Sequence, residues 1–198
     1  MLRGMVFMDY MNFNVELQTY YANYGEKNPR LDYGQMFNKI SASKEADFLK
    51  AYIFAPEPDE FLIKDENILK NYKWLQGFAN AKYIDIIFGR HIARPTSDDI
   101  KMDLDDRSTY YKVEKGTDIN LAIHALSKAH YNSYDVAFVM SGDTDYINLY
   151  RQLKTIGKIV IAVAVSGQSL KRVIPEVDDF IMLNKAFFNK CLRAADRP

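Results

Sequence analysis

Ile159 to Val165 reads IVIAVAV, an unbroken apolar run with no polar side chain for either face of a strand. A strand with one face in water would alternate polar and apolar residues, so this run needs cover on both sides. Val136 to Met140 (VAFVM) and Met5 to Met8 (MVFM) repeat the pattern. Phe48 to Ala55 and Tyr83 to Phe88, the latter stopping at Gly89, add further strand candidates. Between the strands lie segments of helical spacing: Phe13 to Tyr24, Leu31 to Ile40, Phe61 to Ala79, and Tyr146 to Thr155 ended by Gly157. Another helix opens at Thr117, with Ile119, Ala122, Ile123, Leu126 and Ala129 on one stripe and Asp118 in its first turn. Leu170 to Val177 is a candidate last helix ahead of a short strand, Phe180 to Leu183. Strands bracketed by helices predict an α/β fold, doubly wound, around a mostly parallel central sheet.

The 198 residues suffice for one sizeable core, and one domain over residues 1–198 is expected. Hydrophobic residues at 48% and charged residues at 26% exclude disordered, collagen-like and coiled-coil classes. Lys plus Arg equals Asp plus Glu at 26 each, so no net field selects a partner, although a local basic patch can still bind phosphates. The lone Cys191 rules out an intramolecular disulfide and a Cys-rich zinc site. Asp9 interrupts the N-terminal apolar run and no small-residue cleavage site follows, while no run reaches the ~18 residues of a membrane span. A cytoplasmic protein with no membrane partner is the expectation. Residues 91–113 form a polar loop or hairpin arm with Pro95, Asp98, Asp99, Asp103, Asp105 and Asp106; it lacks the glycine and terminal glutamate of a calcium loop.

In open parallel sheets, ligands bind outside the carboxyl ends of the strands. Asp9 ends the first strand, Asp143 and Asp145 follow the Val136 to Met140 strand, and Asp118 opens a helix. Any one of these alone is ordinarily a helix cap or turn residue, and Ser141-Gly142-Asp143-Thr144 is good turn chemistry. Four ionised carboxylates in one cleft repel one another and call for a cation. Hard oxygen donors suit Mg²⁺ or Mn²⁺, which can orient a phosphodiester and activate water for its hydrolysis. Asn12 is placed to offer an amide to the same cleft.

Asp9-Tyr10-Met11-Asn12, Glu114-Lys115-Gly116-Thr117-Asp118-Ile119-Asn120-Leu121-Ala122 and Ser141-Gly142-Asp143-Thr144-Asp145-Tyr146 resemble the three signatures of the NYN domain family, part of the PIN-like nucleases. Ser169-Leu170 followed by Asp178-Asp179-Phe180-Ile181 is similar to that family's C-terminal strand signature. The resemblance implies a three-layer PIN-like, Rossmann-like fold and a metal-dependent ribonuclease, with Asp9, Asp118, Asp143 and Asp145 in the acidic centre. Asn12, Lys115, Ser141, Arg90 and Arg151 are the substrate-binding candidates, with His91, Arg94 and Lys154 as further backbone contacts. Lys115 has an alternative in pairing with Glu114, and Tyr10, Phe13 and Tyr146 either stack on bases or belong to the core. The sequence departs from the family at His124, where members commonly carry an acid; it is either a site residue or a packed histidine. The alternative function is a catalytically weak or inactive RNA-binding or regulatory module. Single-stranded RNA is the expected partner, and the shortage of basic residues beside the acids favours a homodimer. No GxxxxGK phosphate loop is present, which argues against an NTPase.

Overall fold

The computed structural model describes residues 1–196 of the 198. Its strands are β1 (Leu2–Asp9), β2 (Ala46–Pro58), β3 (Ile84–Pro95), β4 (Tyr110–Lys115), β5 (Val136–Met140), β6 (Ile159–Val165) and β7 (Asp179–Leu183). They form a 7-stranded sheet in the order β4-β3-β2-β1-β5-β6-β7. Every neighbouring pair is parallel except β3 with β4. The helices are α1 (Tyr10–Ala22), α2 (Tyr33–Ala42), α3 (Glu66–Gln76), α4 (Thr117–His130), α5 (Ile147–Thr155) and α6 (Lys185–Asn189). This is the expected α/β architecture, a mostly parallel sheet flanked by helices and consistent with a PIN-like fold.

Strand alternation divides the core into two layers. Val6 and Met8 of β1, Ile53 of β2 and Phe138 of β5 face α1 and α2, meeting Phe13, Phe37 and Ile40. Phe7, Phe54 and Val139 face the other way, against Leu121 of α4 and Leu149, Tyr150 and Leu153 of α5. Each fully buried Leu, Ile or Phe contributes roughly 1.5–3 kcal/mol of burial, so cover on both faces offsets much of the chain entropy. Capping carboxylates start the helices: the Asp9, Asp32 and Asp65 side chains accept the Asn12, Gln35 and Ile68 N–H groups. The Asp9 cap starts α1 at Tyr10, earlier than the apolar spacing from Phe13 suggests.

Two expectations change. β3 does not stop at Gly89 but continues to Pro95, because β4 pairs beside it and supplies partners for its backbone. At Gly89 a Cβ would come 2.4 Å from Thr117 Oγ1 and 2.8 Å from the Lys115 carbonyl, so the residue is a place of close approach, not a breaker. Leu170 to Val177 holds only one 3-10 turn, Ile174–Glu176, since Pro175 cannot continue an α-helix. The helical turn after β7 is instead α6, capped by Asn184. The expected arm is a β3–β4 hairpin, and its Met102 and Leu104 pack against Leu62, Ala93 and Tyr110.

From β1 the chain passes through α1 to β2 on one side, whereas from β5 it passes through α5 to β6 on the other. The direction reverses between β1 and β5, which leaves a crevice at their carboxyl ends. Among the described residues, no helix is long and apolar enough to cross a membrane.

Candidate active site

Asp9, the last residue of β1, lies in that crevice at 5% exposure and also caps α1. A cleft of about 320 Å³ opens over it, lined by Asn12 and by five carboxylates: Asp9, Glu16, Glu114, Asp118 and Asp143. Among the described residues, no Lys or Arg lines it.

The acids are held by a hydrogen-bond lattice. The Tyr146 hydroxyl donates to Asp118 Oδ1 at 2.7 Å and lies 3.3 Å from Asp9 Oδ2. Ser141 Oγ lies 3.4 Å from Asp9 Oδ2 and accepts the Asp143 N–H at 3.2 Å. Asp143 Oδ1 accepts the Asp145 N–H at 3.0 Å, closing the tight turn after β5. On the facing wall, Asn12 Oδ1 accepts from the Gly142 N–H at 3.1 Å and from Gln168 Nε2 at 3.0 Å. A Cβ at Gly142 would stand 2.4 Å from Gln168 Nε2, so the glycine of this turn is what lets Gln168 reach Asn12.

The Asp9 carboxyl is pushed up to about 6, chiefly by burial and secondarily by the charges of Asp118 and Glu114, against the lowering effect of its Asn12 and Tyr146 contacts. Glu114 is raised as well, first by burial and then by Asp118. Burial first, and then Asp9 and Asp118, push the Tyr146 phenol far above its ordinary value, so it stays a donor.

Of the acids expected in the centre, Asp9, Asp118 and Asp143 share the cleft, while Asp145 is exposed and does not line it. Among the described residues, no three His, Cys, Asp or Glu side chains could hold one metal ion together. The carboxylate oxygens of the cleft are hard donors, the type that Mg²⁺ and Mn²⁺ accept.

Asn12 and Ser141 are at the site, whereas Lys115 and Arg90 are exposed and paired across the β3–β4 ladder. Arg151 is engaged by Glu176 at 2.8 and 2.6 Å and lines no part of the cleft. His124 packs its ring 5.8 Å from Tyr52 and 5.7 Å from Phe54, and burial lowers its pKa. Glu114, Glu16 and Gln168 join the site without having been singled out. Glu114 had a signal, because it stands one position before Lys115 and strand alternation turns neighbours to opposite sides.

The fold is similar to the crystal structure of a Vibrio parahaemolyticus protein of unknown function, with a TM-score of 0.56, 17% identity and coverage of 94% of this chain and 95% of that one. At that identity the likeness shows the fold alone. No curated protein matches the chain. The family model of the NYN domain matches residues 3–184, a span that holds β2 to β7, all of β1 but Leu2, and every carboxylate of the cleft. The chain belongs to the NYN domain family, whose members are generally nucleases of the PIN-like superfamily.

Proposed function

We propose that this protein is a metal-dependent ribonuclease that cleaves single-stranded RNA internally at the acidic cleft. The observation that carries the reading is the gathering of five carboxylates, with no Lys or Arg among them from the described residues, at the reversal point between β1 and β5. Asp9, Asp118, Asp143 and Glu114 would supply carboxylates to Mg²⁺ or Mn²⁺, no more than two to any one ion, with waters completing its shell. When bound, such an ion supplies Lewis acidity toward a phosphoryl oxygen and makes water a better nucleophile. The chain's own residues prepare the site. Tyr146 fixes Asp118 beside Asp9, and burial of Asp9 excludes bulk water from the floor of the cleft. Gly142 and Gln168 hold the Asn12 carbonyl oxygen, which leaves the Asn12 amide NH₂ to donate to a phosphate oxygen.

A second reading, an RNA-binding module without catalysis, is favoured by one observation: no three metal-ligating side chains among the described residues converge on a point. The test incubates end-labelled single-stranded RNA with Mn²⁺ or Mg²⁺ and the protein, beside an Asp118→Asn, Asp143→Asn double variant. Internal cleavage abolished in the variant is the expected result. Cleavage that survives in it would sink the site assignment, and binding without cleavage by either protein would establish the module.

A further inference from the structure

A polyanion cannot rest on five carboxylates, so an RNA strand must be held elsewhere. Among the described residues, seven cations are engaged in ion pairs: Arg3 with Asp135, Lys44 with Asp179, Lys50 with Asp85, Arg107 with Asp65, Arg151 with Glu176, Lys154 with Asp178 and Lys185 with Glu26. Arg30, Lys70 and Arg193 differ. They have no ion pair among the described residues, and all three line one hollow of about 380 Å³ that contains no carboxylate.

That hollow and the acidic cleft lie on two flanks of α1. Asn12 and Glu16 line the acidic cleft, while Tyr10, Asn14 and Leu17 line the basic hollow. A middle hollow of about 320 Å³ shares Met11 with the first and Tyr10, Asn14 and Asn71 with the second. The three therefore adjoin in a row, a trough, along the first turns of α1. The Tyr10 hydroxyl donates to Asn71 Oδ1 at 2.7 Å, which orients the Asn71 amide at the junction. Trp74 forms a half-buried aromatic wall, edge-on to Tyr33 and Phe78. The Arg193 N–H donates to the Arg30 carbonyl at 3.0 Å, so the two guanidinium-bearing residues are tied together by their backbones.

Unpaired cations for phosphates, amides for base edges and an aromatic wall are the chemistry of a single-strand binding track. Resting on the reading of the protein as a ribonuclease, we propose that this trough binds the RNA on one side of the scissile phosphate. Arg30, Lys70 and Arg193 contact the strand's phosphates, and Asn14 and Asn71 contact the base nearest the cleft.

The test is equilibrium binding of fluorescein-labelled single-stranded RNA, with chelator present to prevent cleavage, across a salt series. The wild type is compared with an Arg30→Ala, Lys70→Ala, Arg193→Ala variant and a control, Lys44→Ala, Lys50→Ala, Lys128→Ala, whose side chains line none of the three hollows. The trough variant is expected to lose roughly tenfold or more in affinity and to flatten the log–log salt slope by about 2, at ~0.7 per phosphate contact on single strands. The control is expected to match the wild type. Trp74 is the only tryptophan, so unlabelled RNA should also change the emission of the wild-type indole. A trough variant that binds like wild type, indole emission that does not respond at saturating RNA, or a wild type that binds no RNA would each overturn the proposal. Cleavage is scored separately with Mn²⁺. A wild type that cleaves while the trough variant binds normally refutes the trough alone, and trough-dependent binding without cleavage refutes only the nuclease reading.

Discussion

Tyr146 and Asp118 are joined by a 2.7 Å hydrogen bond in which the phenol donates to Oδ1, and the same oxygen of Tyr146 lies 3.3 Å from Asp9 Oδ2. One neutral donor thus sits between two carboxylates that would otherwise face each other directly. Tyr146→Phe keeps the ring and removes only the donor. The variant should lose about 1–3 kcal/mol of stability at pH 8, the usual worth of a hydrogen bond to a charged group. Urea denaturation measures it, and an unchanged midpoint at pH 8 would show that the bond carries no weight.

Asp9 links stability to pH. Its folded pKa of about 6 stands above the ordinary value of 3.8, so between those values the native state binds more protons than the unfolded one. The contribution of Asp9 is therefore fully present below about pH 4 and is lost as pH rises through 6. In chelator, Asp9→Asn should raise stability at pH 8 by up to about 3 kcal/mol, and the two proteins should converge near pH 4. Asparagine is itself a good cap, which keeps the start of α1 intact. Thermal melts of both proteins across the pH range give the comparison, and parallel curves would contradict the assignment.

A cation that binds only the folded cleft must stabilise it. Mg²⁺ or Mn²⁺ at 100 times its dissociation constant should add about 2.7 kcal/mol at pH 8. The gain should vanish in an Asp9→Asn, Asp118→Asn variant. Chelator titration followed by calorimetry reads this independently of any cleavage, and equal gains in both proteins would place the ion elsewhere.

Gly142→Ala forces Gln168 out of the space it occupies beside Asn12. Because a flexible side chain gives way and not backbone, the cost in stability should stay near 1 kcal/mol. Cleavage should fall further than stability does, since Asn12 loses one of the two donors that fix it. Activity and melting temperature measured on the same preparation separate the two effects.

His124→Leu should leave RNA cleavage unchanged. The ring packs on Tyr52 and Phe54 and lines no part of the acidic cleft, so the departure from the family pattern at this position is a matter of packing. A large loss of activity without a loss of stability would place His124 in the reaction.

What the sequence revealed of this fold follows from burial. Val136–Met140 and Ile159–Val165 are strands at the expected residues because both faces are covered along almost their whole length. β3 ran past its expected stop because its outer half is stabilised by β4, a partner that periodicity within β3 does not register. Asp9, Asp118 and Asp143 were legible as strand-end and helix-start carboxylates. Asp145, two positions from Asp143, turned outward because the chain coils into a 3-10 turn there in place of continuing as a strand. Gln168 was illegible, since it meets Asn12 across 156 positions of chain.

The central place of β1 has a consequence for synthesis. β1 pairs on one flank with β2, which follows soon after it, and on the other with β5, so that Met5 lies beside Ala137. Roughly 80 residues separate the end of β2 from the end of β5, and at about 5–20 residues per second a ribosome needs on the order of 4–16 seconds to supply them. Throughout that interval the nascent chain carries an apolar strand with an open edge and an incomplete acidic floor. The candidate catalytic centre is therefore completed only once β5 and the turn after it have been made.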